Sequence, residues 1–83
     1  SLYDVSFYVE DEEIILINNN LNLQFPNSFK ELQEKIPSLK KEEKEELIKI
    51  EDMFFYKKSL KITQNIYLFT FTLLIKKEDN SNS

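Results

Sequence analysis

The 83-residue chain contains no Gly, Cys, His or Trp, and its sequence also shows no Ala and no Arg. Without cysteine there is no disulfide framework and no thiolate chemistry. Without His or Cys there is no Ser-His-Asp triad, no Cys-His pair and no zinc site of the usual nitrogen and sulfur type. Without glycine there is no P-loop, no dinucleotide-binding GxGxxG and no GxSxG elbow, since each needs backbone positions that only glycine fits. Catalysis would fall to carboxylates, lysines, serines and tyrosines, which need a pocket that a domain of this size rarely spares. The expectation is therefore a protein that is not an enzyme and holds no cofactor or metal.

Charge is also one-sided. Fifteen acidic residues against eleven lysines give a net charge of -4, the wrong sign for a general nucleic-acid binder. The hydrophobic share of 41% is ordinary for a soluble globular protein and too high for full disorder. Abundant Ile, Asn, Lys, Phe and Tyr suit an AT-rich coding sequence, so composition alone carries little functional meaning. The start lacks a basic segment followed by an apolar one, so no signal peptide is visible. With the missing cysteines, that points to an intracellular setting.

Patterning then gives the elements. In Leu2–Glu10 the residues Tyr3, Val5, Phe7 and Val9 alternate with more polar ones, which reads as a half-buried strand. Glu10–Glu13, "EDEE", makes a charged, solvated turn rather than a calcium loop, because it lacks the DxDxDG pattern. Ile14–Ile17, "IILI", is a second strand, buried on both faces or lying beside the first. Asn18–Asn20 supplies a turn in a chain without glycine. Leu21–Phe25, "LNLQF", alternates again and completes a three-stranded meander. Ser28–Glu31 then fits a capping box, and Phe29, Leu32 and Ile36 form a helical stripe that Pro37 ends.

Beyond Pro37, Leu39–Phe55 reads as a second helix. Its solvated half is "KKEEKEE" (Lys40–Glu46), its stripe is Leu47, Ile50 and Phe54, and Glu45–Lys49 is a favourable pair four residues apart. Leu60–Thr63 and Ile66–Ile75 read as a hairpin turning at Gln64-Asn65. The second of these is the most apolar stretch of the chain. Its β-branched and aromatic residues favour a central strand over a core helix. It is too short and too rich in threonine for a spanning helix, although membrane association through Leu60–Lys77 is an alternative reading. Residues 78–83 read as a disordered polar tail, leaving 1–77 as one domain.

The expected fold is α+β, in the order β-β-β-α-α-β-β: a mainly antiparallel sheet of four or five strands with one or two helices on one face. The expected core is Val5, Phe7, Val9, Ile15, Ile17, Leu23, Phe25, Phe29, Leu32, Ile36, Leu47, Ile50, Phe54, Phe69, Phe71 and Leu73. "LNLQFPNSFKELQEKI" (Leu21–Ile36) resembles the strand and capped helix of ubiquitin-like and Phox-and-Bem interaction domains. The meander followed by two helical segments is similar to the RWD-type globular ends of kinetochore coiled-coil proteins, where the last element is a helix. Both resemblances imply a non-catalytic protein-interaction domain within a larger assembly.

One-sided packing leaves the other sheet face, or a strand edge, for another protein or for self-association. The residues set aside for such a partner are Tyr3, Tyr8, Phe55, Tyr56 and Tyr67. A further alternative is weak binding of single-stranded nucleic acid through Tyr56–Lys61, with Tyr56, Lys57, Lys58 and Lys61 as contacts.

Overall fold

A computed structural model describes residues 3–74. The expected tail, Lys76, Lys77, Ile75 and Leu2 lie outside the described residues. Five strands and one helix follow in the order β1 (Asp4–Glu10), β2 (Glu13–Asn19), α1 (Phe29–Lys35), β3 (Lys44–Ile50), β4 (Met53–Thr63) and β5 (Ile66–Leu73). They form a single antiparallel sheet in the spatial order β2-β1-β5-β4-β3. The strand reading of the most apolar stretch holds: β5 is the middle strand, with β1 on one side and β4 on the other.

β2 and β3 are the two edges. Residues 20–43 must therefore carry the chain from one edge to the other, and they cross a single face of the sheet. That face holds the core. Val5, Phe7 and Val9 of β1 stand opposite Phe71, Phe69 and Tyr67 of β5. Phe7 stacks on Phe69 at 5.3 Å and meets Phe71 edge-on at 5.5 Å. From the crossing segment, Phe25 packs on Phe7 at 5.1 Å and Phe29 on Phe69 at 5.4 Å. Leu32, Ile36 and Leu39 complete the cover. Aromatic pairs in such offset and edge-on arrangements add about 0.5–1.5 kcal/mol each beyond the area they bury.

The helix forms as its capping signal implies. The Ser28 hydroxyl accepts from the N–H of Lys30 at 3.1 Å and of Glu31 at 3.5 Å. At the other end the Ile36 N–H still bonds the Leu32 carbonyl, and Pro37 then stops the helix.

Three expectations need correction. First, Leu39–Phe55 is not a second helix, so the order β-β-β-α-α-β-β becomes β-β-α-β-β-β. Residues 36–43 run irregularly, and the rest forms β3, a two-residue turn at Glu51-Asp52 and the start of β4. The stripe Leu47, Ile50, Phe54 fits a helical period by coincidence. The period-two set Glu46, Ile48 and Ile50 is the one that faces the core. Second, Leu21–Phe25 is not a strand. Leu21, Leu23 and Phe25 still pack against the core, but the Asn19 side chain holds the stretch in place of a ladder, donating to the Leu23 carbonyl at 2.8 Å and accepting from the Leu23 N–H at 3.1 Å.

Third, Ile15, Ile17, Leu47 and Phe54 are exposed rather than core. Ile15 faces away from α1. Ile17 falls where the register with β1 shifts between Ser6 and Phe7. In β3 and β4, Ile48 and Phe55 take the inward places instead. The final described element, strand β5, also departs from the terminal helix that the RWD-type resemblance implied.

Candidate functional surface

No layer covers the second face of the sheet among the described residues. On an antiparallel sheet with one wet face, that face normally carries polar side chains. Here Ile15, Tyr8, Leu68 and Leu60 line up across β2, β1, β5 and β4 as direct cross-strand neighbours. Ile62 and Ile66 extend this row, and with Tyr8, Ile15 and Glu10 they line a shallow hollow of about 360 Å³. Tyr8, Ile15, Leu60 and Ile62 are all exposed.

A polar band follows along the sheet. Asn18, Ser6, Thr70, Lys58 and Glu45 form one row across all five strands. Beyond it lies a second apolar group, Leu47, Tyr56, Phe54 and Leu74, nearer the β3 edge. Leu47 is 68% exposed, the most of any large apolar side chain described. The neighbouring Glu45 carboxylate, as acceptor for the Tyr56 hydroxyl, then desolvation and the Glu45 charge, raise the Tyr56 pKa above its usual 10.0. Lys49 sits over the Phe54 ring at 5.6 Å.

The covered face holds a charge of its own. Lys57 is wholly buried, with its Nζ 3.1 Å from Glu46 Oε2 and 6.0 Å from the Phe69 ring centroid. The two atoms are at ion-pair distance without the alignment of a hydrogen bond. Lys44 reaches the other Glu46 oxygen at 3.4 Å. The Lys57 contact holds the Glu46 carboxyl below its usual range. Partial burial opposes it, and the charges of Lys57 and Lys44 reinforce it. Beside this cluster the buried Ser59 hydroxyl donates to the carbonyls of Glu42 and Lys44, tying the crossing segment to β4.

The five residues expected at a partner site are scattered. Tyr8 and Tyr56 share the open face, in different apolar groups. Tyr67 is half-buried on the covered face, 6.4 Å from Phe69, and Tyr3 is exposed on that same side at the start of the sheet. Phe55 is a core residue with no exposed surface. Strand alternation also splits the expected nucleic-acid contacts: Tyr56 and Lys58 lie on the open face, while Lys57 is buried in its ion pair. The residues that define the open face and were not anticipated are Ile15, Leu60, Leu68, Leu47 and Phe54. For Phe54 and Leu60 the signal was the period-two series Phe54, Tyr56, Lys58, Leu60, whose first member a helical reading of Leu39–Phe55 hides.

Glu10–Glu13 is the expected solvated turn. Lys41 bonds the Asp11 carbonyl and reaches Glu12 Oε2 at 3.3 Å. Among the described residues no three carboxylates converge on a common point. No described helix is long and apolar enough to cross a membrane. In comparisons with family models, curated proteins and solved structures, none matches this chain, so its surface is read from its own geometry.

Proposed function

We propose that the chain is a non-catalytic protein-interaction domain that binds through the open face of its sheet. The observation that carries this reading is the apolar row Ile15–Tyr8–Leu68–Leu60, joined by Ile62 and Ile66, on the face without a covering layer. Scattered apolar side chains on a surface are ordinary, but a contiguous patch rimmed by polar residues marks a binding surface. The rim is supplied by Glu10 at one end and by the band Ser6, Thr70 and Lys58 at the other. A fitting partner presents an apolar surface of similar extent with polar groups around it.

The test is affinity capture on three immobilised proteins: wild type, the double variant Tyr8→Lys with Leu60→Lys, and Glu34→Lys on the exposed side of α1 as a control. Circular dichroism checks that all three fold. A defined set of proteins retained by wild type and the control, and lost from the double variant, supports the reading. Equal retention on all three overturns it.

A further inference from the structure

The two edges of the sheet are built differently. β2 is blunted along its length. The Ile14 N–H donates to the Asn27 carbonyl at 2.8 Å, Glu13 bridges to Ser28, and Asn19 is engaged with Leu23. A register shift at Ile17 interrupts what remains, and such irregularities protect edges from pairing. β3 has none of these devices. Lys44–Ile50 runs in unbroken register against β4, and its other side carries no backbone hydrogen bond among the described residues.

The outward groups of β3 can be identified. Lys49 stands opposite Phe54, whose carbonyl accepts from the Leu74 N–H at 2.9 Å on its far side. Lys49 and Phe54 are therefore a pair without ladder bonds between them. Alternation then turns the N–H and C=O of Glu45, Leu47 and Lys49 away from β4. The side chains of the same three residues lie exposed on the open face.

We propose that β3 pairs antiparallel with β3 of a second copy of this chain, about a two-fold axis through Leu47, making one sheet of ten strands. In this register Glu45 faces Lys49 of the second copy, Lys49 faces its Glu45, and Leu47 faces Leu47. On the covered side Glu46 faces Ile48 and Lys44 faces Ile50. Opposite charges across neighbouring strands favour pairing, and like charges oppose it. Shifted registers fare worse. Centring on Glu45, Glu46 or Lys49 sets like charges on the axis, and centring on Ile48 sets Glu45 against Glu51.

Charges on an edge ordinarily guard it by repelling an incoming strand. This pattern attracts its own copy in the Leu47-centred register and disfavours those centred on its charged residues, as an isologous two-fold contact requires. An ionised carboxylate has about four lone-pair sites, so Glu45 can neighbour Tyr56 and still accept from a second partner. The pairing also gives Leu47 an apolar neighbour and sets the two Phe54–Tyr56–Leu74 groups on either side of one axis. It goes beyond the open-face reading and does not depend on it.

Sedimentation equilibrium tests the proposal on four samples: wild type, Glu45→Lys, Lys49→Glu, and an equimolar mixture of the two variants. A seven-residue edge is a small interface, so wild type is expected to dimerise with Kd on the order of micromolar to tens of micromolar. Each single variant places like charges opposite one another and is expected to weaken dimerisation about tenfold or more. In the mixture the variants complement one another, lysines at 45 and 49 facing glutamates at 49 and 45, and dimer returns. Leu47→Pro removes an N–H that β4 does not use, so it folds as a monomer. Wild type remaining at the mass of one chain at about 1 mM, far above that Kd, overturns the proposal. So do single variants that dimerise as wild type does, or a mixture that stays monomeric. None of these results touches the capture test, whose substitutions lie at the far end of the open face.

Discussion

Lys57 Nζ lies in the core with one carboxylate oxygen for company, and the energetics of that arrangement are lopsided. Taking two charges out of water costs several kcal/mol per ion, which their attraction roughly offsets. Removing one partner leaves the other stranded. Glu46→Gln is expected to destabilise by about 3 kcal/mol, the low end for a buried pair because Glu46 keeps 19% of its side chain in contact with water. Replacing both together, Lys57→Met with Glu46→Leu, is expected to be neutral or stabilising by about 1–4 kcal/mol.

The pH dependence has a definite sign. The folded state holds the Glu46 pKa below its usual 4.5, so its contribution is complete above that value and is lost as pH falls through the lowered one. Urea melts at pH 7, 4.5 and 3 should show wild type losing this contribution with acid and Glu46→Gln having none of it to lose. Tyr56 behaves in the opposite sense. Its folded pKa is raised, so its contribution is present below 10.0 and lost as alkali titrates it. In an ultraviolet titration, Glu45→Gln should bring one tyrosine transition down towards 10.0, and Tyr56→Phe should remove that transition.

At the level of elements, the absence of glycine leaves a mark on the turns. The hairpins β1–β2 and β3–β4 each close with two residues, and the first of each pair has positive φ: 55° at Asp11 and 60° at Glu51. The favoured two-residue hairpin turns, types I′ and II′, take this sign at that position, whereas Gln64-Asn65 closes β4–β5 without it, beside a register shift between Lys61 and Thr63. Asp tolerates positive φ better than Glu does. Glu51→Gly is therefore expected to gain about 0.5–1 kcal/mol, raising the melting temperature by a few degrees in thermal denaturation.

The same turn explains what was legible in the sequence. β1, β5 and the turn at Gln64-Asn65 carry period-two alternation or a β-branched, aromatic run, and α1 carries its cap and its proline. Those elements were readable from residues alone. Leu39–Phe55 was not, because Glu, Lys and Leu favour helices and the turn Glu51-Asp52 has no Gly or Asn to announce it. Tertiary pairing, with Ile48 against Phe55 and Glu46 against Lys57, overrides that local preference. The candidate surface inherited the error. A helical reading of Leu39–Phe55 makes Phe54 and Leu47 core and leaves Phe55 for a partner, the reverse of their places.

At the scale of the whole molecule, stability is graded across the sheet. Amides of Phe69 and Phe71 lie in the middle strand beneath α1 and Phe25, and opening them requires global unfolding. Amides of Glu45, Leu47 and Lys49 face outward from an edge. Hydrogen exchange on dilute protein should find the first set slowest and the second among the fastest. If the second set slows as concentration rises while the first does not change, that is the profile expected of pairing through β3.

The position of β5 also sets an order of events. It is the last strand of the sheet to be synthesised and the first in importance, because β1 and β4 touch only through it. Until residues 66–73 exist, a nascent chain holds two hairpins linked by the crossing segment but sharing no strand ladder, and Phe7 and Phe55 have no common wall. Assembly is therefore a late, single commitment rather than a gradual one. A messenger or a protease that stops the chain before residue 66 yields not a smaller version of this domain but two unpaired halves.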